Sequence, residues 1–142
     1  MKILLAIDDS KFSDAAVQAV ISHYKLQGLE VRVLHVIEPP ASLMAPEVTV
    51  FVPPMESVEE AKAFVAKTSD ALRSAGVNVT TAVVQGDPKS NILDNAKTWG
   101  ADLIVLGSHG RKGLERFMLG SVSQAVLRHA HCSVEIVRLP PE

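Results

Sequence analysis

Apolar residues along this chain fall into five short runs rich in valine, isoleucine and leucine, separated by stretches in which they recur every three or four positions. Short runs of this kind predict β-strands, and a run that is apolar throughout predicts a strand covered on both faces. The first and fourth runs are continuously apolar, whereas the third is closer to alternation and is expected nearer an edge of the sheet. The strands are predicted at Lys2–Ile7, Glu30–Val36, Val77–Gln85, Leu103–Leu106 and Ser133–Val137.

The stretches between the runs have the spacing of amphipathic helices. Helix ends are also marked, because Asp87 precedes a proline in the manner of an N-cap and glycines at 28, 76 and 100 follow the apolar stripes. The four stripes are Phe12, Ala16, Ala19, Val20 and His23; Val58, Ala61, Val65, Thr68 and Leu72; Ile92, Leu93, Ala96 and Trp99; and Val122, Ala125, Val126 and His129.

Strands and helices therefore alternate strictly along the chain. Such alternation predicts a parallel sheet with helices on both faces, and right-handed crossovers leave few topologies. We expect one domain over residues 1–142 with a doubly wound, Rossmann-like three-layer α/β fold and the strand order 3-2-1-4-5. The winding then reverses between the first and fourth strands, where ligands of such sheets bind. Asp8 ends the first strand and Gly107 ends the fourth, so both are expected at this switch point.

Composition narrows the function classes. The chain has 142 residues, of which 47% are apolar and 21% charged, as in an ordinary globular domain. A formal net charge of −2 argues against a nucleic-acid partner, because no global positive field is present. No run approaches the ~20 apolar residues that cross a bilayer, and the run after Met1 is too short for a signal peptide, so a cytoplasmic protein without a membrane partner is expected. Cys132, the single cysteine, is expected to be a small buried hydrophobe.

The connection at 38–56 does not fit the short-loop rule. It holds five prolines, at 39, 40, 46, 53 and 54, around the apolar segment 48–52. Long loops in compact domains are usually functional lids or disordered segments. One interpretation of this connection is a lid or a partner-contacting surface. The other is a surface loop without a function of its own. A nucleotide-free interaction module that uses this loop is a third hypothesis for the whole protein.

The segment GSHGRKGLERFMLGS, at 107–121, leaves the fourth strand and opens the last helix. A glycine after a strand allows a close backbone approach, and a helix N-terminus presents free N–H groups with about half a positive charge. Gly107, Gly110 and the pair Gly120–Ser121 therefore favour an anion site, usually a phosphate site. The alternative is a glycine-rich surface loop followed by a capped helix. The nearby cations are Arg111, Lys112 and Arg116.

The glycine spacing separates this loop from the two standard phosphate motifs. Neither GxxxxGK[ST] nor GxGxxG occurs in the chain. Gly-x-x-Gly, nine residues and then Gly-Ser instead resembles the ATP-binding motif of the universal stress protein family. KILLAIDDS at 2–10, LHV at 34–36 and GDP at 86–88 are similar to the ends of that family's first three strands, and the segment 101–138 is the most specific piece. The resemblance covers nearly the whole chain.

The resemblance implies a flavodoxin-like fold that binds ATP, often as a homodimer, with roles in stress survival. It implies that Asp8 contacts the ribose and that the backbones of Ala6 and Val36 border adenine. The remaining implied nucleotide-binding residues are Leu106, Gly107 and Gly110 around the ribose and α-phosphate, and Gly120, Ser121 and Val122 at the β- and γ-phosphates. Ser108 and His109 lie in the turn and Arg111 just beyond Gly110, and these three are taken as neighbours of the site.

Several of these residues have a structural alternative. A carboxylate suits the paired hydroxyls of ribose, but Asp8 could instead cap the first helix or bond the Ser10 turn. Ser121 could serve only as an N-cap. His109 is expected to be a solvent-exposed turn residue, and His35 a satisfied polar residue at the end of an internal strand.

Binding does not imply turnover, because catalysis requires groups that act better on the transition state than on the ground state. Only Asp9 and Glu115 are weak candidates for positioning a water. We therefore expect an ATP-binding stress or signalling protein, with a slow ATPase or an autophosphorylating enzyme as the alternative. Mg²⁺ could bridge ATP phosphates, although the sequence shows no dedicated carboxylate cage for it.

The last strand, at 133–138, is expected at an edge of the sheet. An unpaired edge is a pairing template, and two copies could pair there in an isologous homodimer. The alternative is a monomer whose edge is blunted by Pro140 and Pro141.

Overall fold

The computed structural model describes residues 1–25, 27–39, 55–110 and 118–139. These residues form five strands and four helices in strict alternation, and every predicted element is confirmed with strand ends shifted by at most one residue. The strands are β1 (Lys2–Ile7), β2 (Glu30–Ile37), β3 (Asn78–Gln85), β4 (Leu103–Gly107) and β5 (Ser133–Val137), and the helices are α1 (Lys11–His23), α2 (Val58–Ser74), α3 (Pro88–Trp99) and α4 (Ser121–His129). Most of the proline-rich connection at 38–56 lies outside the described residues.

The five strands form one parallel sheet in the order β3-β2-β1-β4-β5. This is the doubly wound α/β fold that the alternation predicts and the flavodoxin-like fold that the resemblance implies. Because β1 lies between β2 and β4, the winding reverses beside β1, and β3 and β5 are the two edges. Ile7 is in register with His35 on one side of β1, and Leu5 is in register with Val105 on the other.

The core consists of one apolar cluster on each face of the sheet, because successive strand residues point to opposite faces. Ile3, Leu5 and Ile7 of β1 pack with residues of α1 and α2. Leu4 and Ala6 pack on the other face with residues of α3 and α4. β1 and β4 are therefore buried on both faces, which explains why their sequences are apolar throughout.

Three of the helices begin with a side-chain N-cap, each of which commonly stabilises a helix by about 1 kcal/mol. The predicted cap Asp87 is confirmed, and the backbone N–H that it accepts holds the pKa of its carboxyl below the usual range, despite the opposing effect of burial. Gly100, predicted to end α3, is its left-handed C-cap with φ 77°. The side-chain caps are Ser10, Ser57 and Asp87, which accept from the backbone N–H groups of Ser13, Glu60 and Ser90.

All five strands run in the same direction, so the two ends of the sheet differ in what they present. At the amino end, the Lys2 backbone N donates to Asp102 Oδ2 at 2.8 Å and Met1 O accepts from the Glu30 N–H at 3.0 Å. The carboxyl ends of β1, β2 and β4 meet at the opposite end of the sheet. In the described part of the chain, no helix is long and apolar enough to cross a membrane.

Candidate functional site

The switch point of the sheet brings together Asp8, which follows β1, and the turn 108–110, which follows β4. A Cβ added to Gly110 would lie 2.9 Å from Asp8 Oδ2. The absence of a side chain at Gly110 therefore lets the turn approach the carboxylate. Two residues that lie 102 positions apart in sequence thus form adjacent walls of one site.

The two carboxylate oxygens of Asp8 have different surroundings and different roles. Oδ1 accepts from the Ser10 backbone N–H at 2.9 Å and from the Ser13 hydroxyl at 3.0 Å. The Ser13 hydroxyl in turn accepts from the Asp8 N–H at 2.8 Å. The bond to the Ser10 turn, which was the alternative to a ligand role, is therefore present on one oxygen. Oδ2 has no hydrogen-bond partner among the described residues and faces Gly110, so the carboxylate retains an acceptor for a ligand hydroxyl.

The turn after β4 is fixed by Ser123, a residue that the sequence analysis missed. Its buried hydroxyl donates to Gly107 O at 2.8 Å and to Ser108 O at 3.1 Å. The signal was a polar residue three positions before Val126, on the stripe of α4 that faces the core. The Gly120 N–H also donates to Ser108 O at 2.8 Å. These bonds close the segment that leaves β4 back onto the start of α4.

The N-terminus of α4 differs from those of α1, α2 and α3, because its N-cap is Gly120 and no side chain accepts from its first turn. That first turn also contains no acidic residue. The interpretation of Ser121 as an N-cap is wrong, since Ser121 is the first helical residue and is exposed. The first-turn N–H groups, including those of Ser121 and the half-buried Val122, thus keep their positive field for an external anion.

Gly107 is required by packing between β4 and α1. A Cβ at this position would lie 2.6 Å from Phe12 Cβ and 2.8 Å from the Phe12 carbonyl carbon. Its space is therefore filled by the first turn of α1. Ligand approach is the role that the sequence predicts for this glycine, whereas the geometry gives helix packing as the physical reason for it.

The predicted adenine-bordering residues share one face of the sheet. Ala6 and Leu106 are buried in the cluster beneath α3 and α4, and half-buried Val36 packs against that cluster. Their strands are neighbours in the order β2-β1-β4. The sheet thus brings Ala6, Val36 and Leu106 together near the carboxyl ends of three adjacent strands.

His109 is half-buried, so its expected exposure to solvent is wrong. The cause is Phe12, whose ring centroid lies 5.1 Å from that of the imidazole. His109 Nδ1 lies 3.0 Å from Ser108 Oγ, while its buried Nε2 has no hydrogen-bond partner among the described residues. Phe12 therefore contributes both to the packing at Gly107 and to the position of His109.

His35 is satisfied, as predicted. Its side chain is 3% exposed, its Nδ1 lies 2.9 Å from Ile7 O, and its Nε2 lies 2.8 Å from Glu56 Oε2. These contacts place His35 directly beside the last residue of β1. It lies behind the site and joins β1 to the chain that precedes α2.

Several predicted features lie outside the described residues. They are Arg111, Lys112, Glu115 and Arg116 of the glycine-rich loop and the segment 40–54. Within the described ranges, no group of three or more His, Cys, Asp or Glu side chains is arranged to hold a metal ion. Cys132 is half-buried against the cluster beneath α3 and α4, and burial, followed by the charge of Asp102, raises the pKa of its thiol. That environment disfavours a reactive thiolate.

Comparison with known proteins agrees with the fold and with the sequence motifs. The model of the universal stress protein family matches residues 1–138. Universal stress protein YxiE of Bacillus subtilis (strain 168) is 34% identical over 145 residues, which cover 96% of this chain and 98% of that protein. Universal stress protein MJ0531 of Methanocaldococcus jannaschii is 39% identical over 82 residues, which cover 58% of this chain and 48% of that protein. This chain thus spans about half the length of MJ0531.

Solved structures extend the comparison to three dimensions. Hypothetical protein MJ0577, described as a structure-based assignment of biochemical function, has a TM-score of 0.81 at 29% identity, over 99% of this chain and 97% of that chain. A universal stress protein in complex with cAMP has a TM-score of 0.70 at 22% identity, over 97% and 96% of the two chains. An Arabidopsis thaliana protein of the same family with AMP bound has a TM-score of 0.67 at 18% identity, over 99% and 92%. The last two show the shared fold alone, whereas the match over residues 1–138 and the full-length relative show that this chain belongs to the universal stress protein family.

Proposed function

We propose that this chain is an ATP-binding, dimeric stress-response or signalling protein of the cytoplasm, which holds the nucleotide as a ligand. One observation carries the proposal: the α4 N-terminus has no side-chain cap and opens from the turn that touches Asp8. A helix N-terminus favours phosphate, and an acceptor carboxylate favours sugar hydroxyls. A nucleotide combines the two groups in one molecule.

Each part of the nucleotide is assigned to the site residues that the family motif implies. In the proposal, Asp8 Oδ2 accepts from the ribose, and the backbones of Ala6 and Val36 border adenine. Leu106, Gly107 and Gly110 surround the ribose and α-phosphate, and Arg111 joins them by its position after Gly110. The β- and γ-phosphates are bound by the N–H groups of Gly120, Ser121 and Val122. Mg²⁺ bound with ATP would offset the negative charge of the phosphates, and no group of three or more His, Cys, Asp or Glu side chains among the described residues is arranged to hold it.

Holding ATP without consuming it is sufficient for signalling. A ligand shifts a conformational or assembly equilibrium by its differential affinity for the two states. Turnover would require in addition a group that stabilises the transition state. The roles proposed here for the described residues, a ribose acceptor and phosphate donors, are binding functions. The slow ATPase is the second outcome of the test below.

The homodimer is proposed through β5. It is an edge strand, so one side of its backbone pairs with no strand of the described sheet. An unpaired edge is a template on which a second copy of the same strand can pair. Sedimentation equilibrium over a dilution series tests this directly. Twice the chain mass is expected, and a monomer at every concentration would contradict the dimer.

The nucleotide claim is tested by denaturing the purified protein and identifying the released molecule by mass spectrometry. ATP is then added to fresh protein, and ADP is quantified over time in the wild type and in Gly120→Val. Bound ATP that stays intact supports the proposal. ADP that accumulates in the wild type and not in the variant would make the protein an ATPase. No bound nucleotide with ATP in excess would contradict the site, and AMP or a cyclic nucleotide would change the ligand alone.

A further inference from the structure

Among the described residues, His35 is the most deeply buried ionisable side chain beside the proposed site. It lies near the end of β2, in register with Ile7 of β1 and with Val83 of β3. Its ring packs edge-on against Phe64 of α2, with the centroids 5.2 Å apart. Both ring nitrogens are within hydrogen-bond distance of an oxygen: Nδ1 lies 2.9 Å from Ile7 O, and Nε2 lies 2.8 Å from Glu56 Oε2.

Both partners of the ring are ordinarily acceptors. A carbonyl oxygen cannot donate, so Nδ1 carries a hydrogen and donates it to Ile7 O. Nε2 faces a carboxylate oxygen, which leaves two satisfied arrangements. Either the ring is an imidazolium that donates to an ionised Glu56, or a protonated Glu56 donates to a neutral ring. Each arrangement holds one proton more than a neutral histidine beside an ionised carboxylate.

Loss of that proton would set the Nε2 lone pair against a carboxylate oxygen at 2.8 Å, which is repulsive. The other described contacts of the ring are uncharged: β1 contributes a carbonyl, β3 contributes Val83 and α2 contributes Phe64. Asp8, which directly follows Ile7, uses Oδ1 for the Ser10 and Ser13 bonds. The contact between His35 and Glu56 therefore depends on the retained proton.

The contacts of His35 join the end of β1, beside the site, to the residue that precedes the N-cap of α2. Ile7 lies between Ala6 and Asp8, which border adenine and ribose in the proposed function. Glu56 directly precedes Ser57, the N-cap of α2, and lies at the end of the long connection. The imidazole thus ties the start of α2 to the peptide that carries Asp8.

We propose that His35 is a positioning residue for the Asp8 side of the nucleotide site and that it acts through a proton shared with Glu56. The identity of the ligand rests on the proposed function, whereas the shared proton does not. Removing the contact between His35 and Glu56 should therefore lower both stability and nucleotide affinity.

Glu56→Gln tests the shared proton separately from the hydrogen bond between residues 35 and 56. A glutamine amide can donate to the neutral ring, so this variant keeps the tie and removes the need for the extra proton. Glu56→Leu removes the tie altogether. Glu59→Gln is the matched control, because it makes the same charge change at an exposed position in the first turn of the same helix.

The first measurement is made without nucleotide, on protein labelled with ¹⁵N in the histidine rings. The His35 signals are expected to show a hydrogen on Nδ1 and a hydrogen shared between Nε2 and Glu56. Glu56→Leu should raise the unfolding equilibrium constant about tenfold, the equivalent of one charge-assisted hydrogen bond, whereas Glu56→Gln and Glu59→Gln should change it much less. A ring protonated only on Nε2, or a Glu56→Leu variant as stable as the wild type, would overturn the shared proton.

The second measurement is the Kd for ATP in the same variants. Glu56→Leu should bind ATP several-fold more weakly than the wild type, whereas Glu56→Gln and Glu59→Gln should bind it nearly as tightly. Wild-type affinity in a folded Glu56→Leu variant would overturn the positioning role and leave the nucleotide site standing. Absence of ATP binding in the wild type would overturn the proposed function and the positioning role together, while the ring signals would still decide the shared proton.

Discussion

Gly107 at the end of β4 is in direct contact with Phe12 in the first turn of α1. A Cβ on Gly107 would stand 2.6 Å from Phe12 Cβ, 2.8 Å from its carbonyl carbon and 2.9 Å from its carbonyl oxygen. The first glycine of the motif therefore sets the distance between a strand and a helix. Gly110 and Gly120 instead bring the turn close to Asp8 and to the start of α4.

Gly107→Ala should destabilise the fold by about 2 kcal/mol, in the range of an overpacked core. Two of the three atoms in contact belong to the Phe12 backbone, so Phe12→Leu in the same chain should not restore stability. Chemical denaturation of the single and double variants provides the measurement. A single variant as stable as the wild type would show that α1 lies further from β4.

Gly120→Val should weaken ATP binding by about tenfold or more, the equivalent of at least one charge-assisted hydrogen bond. A Cβ here would already be 3.3 Å from Ser108 O and from His109 Cα, so a branched side chain presses on the turn beside the first N–H groups of α4. Calorimetric titration with ATP, combined with far-UV circular dichroism, separates loss of binding from loss of fold. Unchanged affinity in a folded variant would remove the phosphate from this turn.

Ser123→Ala should lower the free energy of unfolding by about 1–3 kcal/mol, because it removes the Ser123 donor from Gly107 O and leaves Ser108 O with the Gly120 N–H alone. Ser121→Ala is the matched control two residues earlier, and at its exposed position a change within about 0.5 kcal/mol is expected. Thermal and chemical denaturation measure both. Equal losses in the two variants would contradict the role given to Ser123.

Asp8→Asn should weaken ATP and AMP to the same extent, since the two nucleotides carry the same ribose. The variant can keep an oxygen for the Ser10 N–H while its amide replaces the acceptor that faces Gly110. Asp14→Asn, at an exposed position of α1, controls for the change in charge. A loss confined to ATP would assign Asp8 to the phosphates or to their metal ion.

Tyr24 should make stability depend on pH in the alkaline range. Burial, followed by the hydrogen bond to Glu135 and its negative charge, raises the pKa of Tyr24 to about 12 from an ordinary value of 10.0. A raised pKa means that the folded state retains the phenol proton longer, so this stability is fully present below pH 10 and is lost as the pH rises towards 12. The difference in unfolding free energy between the wild type and Tyr24→Phe, measured across this range, should shrink with rising pH. A constant difference would contradict the coupling.

The sequence was sufficient for the fold because each element carries its own periodicity. Continuous apolar runs predicted β1 and β4 as central strands, and strict alternation with helices restricted the strand order. The motif spacing was likewise sufficient to bring Asp8, Gly110 and Gly120 to one end of the sheet. These inferences need only local patterns and chain connectivity.

The remaining features of the site depend on contacts between distant residues. Nothing near His109 in sequence indicates that Phe12 packs against its ring. Nothing near Ser123 indicates that its hydroxyl donates to two carbonyls at the end of β4. The pairing of His35 with Glu56 likewise spans a long connection. Spacing predicts which elements meet, whereas packing decides which atoms of those elements touch.

The parallel direction of the strands also decides where the protein can be labelled or immobilised. β1 begins at Lys2, at the end of the sheet opposite the site, and six strand residues span about 20 Å. A surface tether or fluorophore at Met1 would therefore leave the Asp8 side facing solution. Val137 O accepts from the Ser108 N–H at 2.9 Å, so a probe attached just after β5 would sit beside the turn and disturb the binding that it was meant to report.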